Sequence, residues 1–182
     1  MTMHRALPMM LTTALLVPST VSSQDSAGAQ VKRGEYLVSI AGCHDCHTPW
    51  TTGSAGPEPD MKRALSGHPQ DVMISAPATL SPPWSGAMNP TSTGWSGPWG
   101  VSFSANLTPD PETGVLRDFT EQQFIQTMRT GRHQGQGRPI LPPMPWPAYG
   151  NMTDDDLKAV FAYLRQVPPV KNKVPDPLPP KQ

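Results

Sequence analysis

Residues 42–50 read GCHDCHTPW and hold both cysteines of the chain, Cys43 and Cys46, with His47 directly after the second. Two thiols three positions apart can form a redox disulfide, supply half of a metal site, or add to the vinyl groups of a porphyrin. A redox pair sits where a strand ends and a helix opens. Here VKRGEYLVSIAGC leads into Cys43 with the spacing of a helix, and no strand–helix–strand alternation follows. A structural zinc needs four ligands at tetrahedral reach. His44 and His47 are too crowded with the cysteines to share one ion with them, and His68 and His133 lack the paired spacing. Covalent haem uses every position of the motif. Two thioethers fix the porphyrin, and His47 is placed to present an imidazole nitrogen to the iron as proximal ligand. One motif implies one haem c.

Three helices are expected around this motif. The run from Val31 to Ile40 carries Tyr36, Leu37 and Val38 and is partly amphipathic. In FTEQQFIQTMRTG, Thr120 and Gln123 make a capping box, Phe119 and Phe124 occupy the positions of a hydrophobic staple, and Gly131 supplies the stop. The last helix starts at Thr153, with three aspartates on the positive end of its dipole. Its Leu157, Val160, Phe161 and Leu164 fall on one face, and Pro168 ends it. Between the first two helices, residues 48–118 are rich in Pro, Gly, Ser and Thr and show no periodicity. They also carry Trp50, Trp84, Trp95 and Trp99, which a solvated linker would not, so the segment is expected to be an ordered wrap.

The chain has 182 residues, with 14 basic and 14 acidic side chains, so no net charge points to nucleic acid or lipid. Residues 1–29 have the layout of a secretory leader: Arg5, a short apolar run from Ala6 to Val17, and small residues near 23 and 29 where cleavage is expected. The run is too short and interrupted to span a bilayer, so the mature chain is expected to be soluble, without stable membrane insertion. Residues 30–170 then form one domain, and 171–182 a Pro-rich tail extended in solution.

RGEYLVSIAGCHDCHTP resembles the start of a c-type cytochrome domain. NLTPDPETG, FTEQQFIQTMRTG and PPMPWPAYGNMTDDDLKAVFAYLRQVPPV resemble the remaining blocks of single c-type domains in cytochrome subunits of periplasmic dehydrogenases. The resemblance runs from about Val31 to Val170. It implies an all-α, cytochrome c-like fold around the haem, with the 48–118 segment as a long irregular insertion and the first and last helices crossing near Gly34. It also implies a periplasmic electron carrier, not an enzyme, working between a dehydrogenase donor and a cytochrome or oxidase acceptor. The rival is a haem enzyme with an open sixth iron position, for which His133 or Arg138 would line the distal pocket.

The sixth ligand separates these two. A distal methionine is expected from a stiff loop just before the last helix, and RPILPPMPWP places Met144 there, between prolines that limit the entropy lost on ligation. Met152 reads as a staple against Leu157 and Met128 as core beside Phe124, which leaves Met88 and Met73 as rivals. The resemblance further suggests propionate contacts from Trp99, Asn106, Thr108 and Arg138. On residue type alone these read equally as a packed indole, Asx or ST turns, and a solvated arginine. Asp110 and Glu112 are too few carboxylates for a calcium loop and read as a turn. Arg129, Arg132, His133 and Arg138 could form a docking patch for an acidic partner, or simply a solvated loop.

Overall fold

The computed structural model describes residues 23–181. The leader expected at 1–29 lies largely outside them. Among the described residues there are five α-helices and five short strands in two antiparallel sheets, so the fold is mainly helical but not purely all-α. The helices are α1 (Ser23–Ile40), α2 (Cys43–His47), α3 (Glu121–Thr130), α4 (Trp146–Tyr149) and α5 (Asp154–Leu164).

Helix α1 begins eight residues before the expected start at Val31. Residues 25–29 are exposed, so that first stretch has no buried face to give an apolar period. The chain breaks from α1 at Gly42, whose φ of 69° lets α2 turn away with both cysteines. Leu37 and Val38 of α1 join Phe124 and Ile125 of α3 and Leu157 and Val160 of α5 in the core. Helices α1 and α5 cross at Gly34, where an added Cβ would overlap the Ala159 carbonyl. An Arg33–Asp156 ion pair of 2.9 Å sits beside the crossing.

Both later helices start as their sequences prescribe. Thr120 accepts from the Gln123 amide while the Gln123 side chain accepts from the Thr120 N–H, and Gly131 closes α3 in the left-handed region. Thr153 accepts from the Asp156 amide at the start of α5.

The sheets lie in the 48–118 insertion. Strands β1 (Trp50–Gly53) and β2 (Gly56–Pro59) form one hairpin. Strands β3 (Ala87–Met88), β4 (Gly94–Gly97) and β5 (Gly100–Phe103) form the other sheet in the order β3-β4-β5. The insertion is fastened directly to the cysteine motif. Trp50 Nε1–H and the Ser92 hydroxyl both donate to the Asp45 carbonyl, the Gly67 amide donates to the His47 carbonyl, and the Asp60 amide donates to Pro49.

Residues 171–181 do not extend away from the body. Asn172 is buried, its side chain accepting from the Gln70 amide and donating to the Ser66 and His68 carbonyls. Leu178 pairs antiparallel with Val101 of β5. The segment is extended, as its prolines require, but its backbone donors and acceptors find partners on the insertion.

Candidate functional site

Helix α2 is a single turn, so Cys43, Cys46 and His47 emerge close together, and all three line one cleft. The cleft holds ≈ 1320 Å³ of non-atom space, counting the solvent at its mouth. Its apolar wall includes Leu37, Leu116, Phe124, Leu157, Val160 and Leu164, drawn from α1, α3, α5 and the loop before α3. The segment 140–145, with Met144, forms another part of the lining, and Pro177 of the C-terminal segment adds to it.

His47 is 9% exposed. Its Nδ1 lies 2.8 Å from the Ala105 carbonyl, which can only accept, so Nδ1 carries the proton and donates. That leaves the Nε2 lone pair free, the usual state of a metal-binding histidine whose other nitrogen is fixed by a carbonyl. Burial lowers the proton affinity of the ring, so the imidazole is neutral. Cys43 and Cys46 are free and half-buried. Burial pushes the Cys43 thiol up to about 11, so it is not a thiolate waiting to react as in a redox pair. Tyr149 closes the cleft beside α2, its hydroxyl donating 2.7 Å to the Ala41 carbonyl.

One polar atom in this wall has no protein partner. Trp95, on β4, lines the cleft, and its Nε1 is buried without a hydrogen bond among the described residues. A buried donor left unpaired costs about 1–3 kcal/mol, which an acceptor brought in with a bound group would relieve. Arg138 and His133 bring further polarity to the same lining. Two free thiols, a neutral imidazole with an open lone pair, apolar walls and an orphaned N–H fit a porphyrin with anionic substituents.

The other expected site residues fall elsewhere. Trp99 sits in the two-residue turn between β4 and β5, outside the cleft, and its indole donates to Ser102 Oγ at 3.2 Å. The tight Gly97–Gly100 turn puts Trp99 in the loop and Trp95 in the strand, so of the two indoles of GWSGPWG it is Trp95 that lines the cleft. Asn106 and Thr108 are 1% and 0% exposed and do not line the cleft. Asn106 accepts from the Thr108 amide and hydroxyl and donates to Thr113 Oγ1 and the Val170 carbonyl, so the pair anchors the start of the C-terminal segment.

Asp110 accepts from the Glu112 and Thr113 amides, which makes the turn expected there, and no metal-binding cluster of three occurs among the described residues. Arg129 is taken up by Asp154 at 2.6 Å, and Arg132 donates to the Gly137 carbonyl. Of the four basic groups named for a docking patch, His133 and Arg138 reach the cleft.

The methionines divide by position. Met73 and Met88 are 79% and 53% exposed and lie outside the cleft. Met128, Met144 and Met152 all line it. Met128 and Met152 also pack against the hydrophobic core, whereas Met144 is not among the residues that do so.

A family model described as cytochrome c matches residues 31–168. The chain belongs to the cytochrome c family. It is 31% identical over 157 residues to the cytochrome c subunit of alcohol dehydrogenase (quinone) from Gluconobacter oxydans, covering 85% of this chain and 25% of that protein. It is 31% identical over 161 residues to the gluconate 2-dehydrogenase cytochrome c subunit of Pantoea cypripedii, covering 86% and 28%. The fructose dehydrogenase cytochrome subunit of Gluconobacter japonicus is 28% identical over 141 residues, covering 77% and 22%. The chain thus spans about a quarter of the length of these relatives. It is a cytochrome c domain, and its one CxxCH motif gives it a single covalently bound haem c. Among the described residues no helix is long and apolar enough to cross a membrane.

Proposed function

We propose that the chain is an exported, periplasmic one-haem electron carrier. In this reading Cys43 and Cys46 hold the haem, His47 and Met144 ligate its iron, and the chain works between a dehydrogenase donor and a cytochrome or oxidase acceptor. The observation that carries it is the single cleft lined together by both thiols, by His47 with its Nδ1 committed to Ala105, and by Met144. Bound there, the haem supplies one-electron exchange at its iron.

The protein's part is to hold the neutral His47 ring in one orientation, offer a thioether from a proline-bracketed loop, and exclude water with the apolar wall. Methionine ligation and burial both raise the potential. A centre ligated on both faces has no open position for a substrate, which favours a carrier over an enzyme. The dehydrogenase donor is inferred from the similar chains, whose names describe cytochrome subunits of dehydrogenases acting on alcohols, gluconate and fructose. A soluble, leaderless mature chain follows from the same reading.

His133 and Arg138, which would serve an open-site enzyme, also line the cleft, so the sixth ligand decides between the two functions. The haem-loaded protein should show the weak far-red methionine-to-iron charge-transfer band when oxidised and should resist added cyanide. Met144→Ala should abolish the band and admit cyanide. A wild-type protein that lacks the band and binds cyanide or peroxide readily would replace the carrier with the enzyme.

A further inference from the structure

His68 is fully buried, outside the cleft, and is used by none of the chemistry above. Its Nε2 lies 2.8 Å from the Val72 carbonyl and its Nδ1 2.9 Å from Thr93 Oγ1. The carbonyl can only accept, so the proton is on Nε2 and Nδ1 accepts from the Thr93 hydroxyl. The Thr93 oxygen is in turn 2.6 Å from Thr91 Oγ1, which accepts from Asn89 Nδ2 at 2.8 Å. Asn89 cannot be turned round, because its Oδ1 accepts from the Thr93 and Gly94 amides. Every proton in the series therefore has one direction, from Asn89 through Thr91 and Thr93 to His68 and on to Val72. Phe103 packs on the imidazole with ring centroids 4.6 Å apart.

The backbone beside this series touches the haem-binding motif. The His68 amide donates 2.9 Å to the Ser104 carbonyl, and the Ser104 amide donates 2.9 Å to Thr93. One residue earlier, the Gly67 amide donates 2.8 Å to the His47 carbonyl. Gly67 has φ +77°, and an added Cβ would overlap the Ser104 and Ala105 backbone. The 66–68 turn thus lies flush against the 104–105 segment, and Ala105 is the residue whose carbonyl receives the His47 Nδ1–H.

We propose that His68 is a positioning residue for His47: its buried hydrogen bonds clamp the 66–68 turn to Thr93, just before β4, and to Ser104, and so set the Ala105 carbonyl on the imidazole. This rests on reading His47 as the iron's proximal ligand. A carbonyl held firmly on Nδ1–H orients the ring and raises its basicity, which favours ferric over ferrous iron. Loosening the clamp should therefore expose the Nδ1 proton and shift the redox equilibrium toward ferrous.

The test uses the full haem-loaded chain with Thr93→Val, which exchanges the hydroxyl for a methyl group of similar size, and with His68→Leu and His68→Gln. Proton exchange at His47 Nδ1, followed by NMR in the reduced state, and the reduction potential are read for each. Thr93→Val and His68→Leu should speed that exchange at least tenfold and move the equilibrium severalfold toward ferrous. His68→Gln, which keeps an N–H for Val72, should recover part of both. Val38→Ala, a buried change outside the cleft, should lower stability without moving either. Should His68→Leu fail to fold, the milder Thr93→Val decides alone. Unchanged exchange and potential in Thr93→Val would overturn the proposal while leaving the haem site intact. Wild-type protein that takes up no covalent haem would instead overturn the reading of His47, and this proposal with it.

Discussion

His47 and Trp95 each bring one nitrogen of consequence to this region: an imidazole Nε2 left open because Nδ1 is committed to Ala105, and an indole N–H buried without an acceptor among the described residues. The CxxCH motif could be read directly, because covalent attachment demands those residues in that order and only two cysteines exist. The partners that make the motif work could not. Ala105 contributes a carbonyl, which every residue has, and its meeting with His47 depends on a fold that brings positions 58 apart together. Trp95 and Trp99 differ only in which one the hairpin turns inward. If the Trp95 N–H awaits a propionate, Trp95→Phe should act oppositely on the two forms of the protein. The haem-loaded form should lose about 1.5–3 kcal/mol, the range for hydrogen bonds to charged groups. The haem-free form should lose little or gain, because an unpaired buried donor has been removed. Denaturant unfolding of both forms measures the difference, and equal losses in the two would assign the indole a packing role only.

At the scale of elements, α3 and α5 were legible because capping residues and apolar periodicity agree over a full helix length. Thr120→Ala should cost about 1 kcal/mol by removing the cap, seen as a lower urea midpoint at constant slope. Gly34→Ala should cost about 1–3 kcal/mol, because the new methyl meets the Ala159 carbonyl where α1 and α5 cross. A variant as stable as wild type would mean that the helices slide apart freely. The sheets escaped the sequence because strands of two to four residues are too short to show alternation, and theirs are made largely of Gly, Ser, Thr and Pro. The early part of α1 escaped for a related reason: residues 25–29 are all exposed and carry no pattern. Residues 171–181 misled differently, since prolines report extension and say nothing of what an extended segment lies against.

For the molecule as a whole, buried neutral histidine makes stability depend on pH. Burial lowers the proton affinity of His68 below its ordinary value of 6.5, against an opposing pull from the Val72 carbonyl and Asp71. The unfolded chain then binds the proton more readily, so this contribution is full above 6.5 and is lost as pH falls toward the lower folded value. Urea midpoints should drop between about pH 8 and about pH 5, and His68→Gln should flatten the change. Asn172→Ala should strand the Gln70 amide and the Ser66 and His68 carbonyls, at about 1–3 kcal/mol for each buried group left unpaired. It should also make residues 171–181 more readily cut by protease than in wild type. The bond from Asn172 to His68 spans 104 positions, and the Leu178–Val101 pairing is also remote in sequence. Pairings of this separation form slowly, because the loop must close before any contact rewards it. Pro177, on that same segment, is part of the cleft wall. One side of the cleft is thus held by a strap whose own fastenings lie on the insertion, so releasing residues 171–181 would widen the mouth through which a bulky planar group enters or leaves.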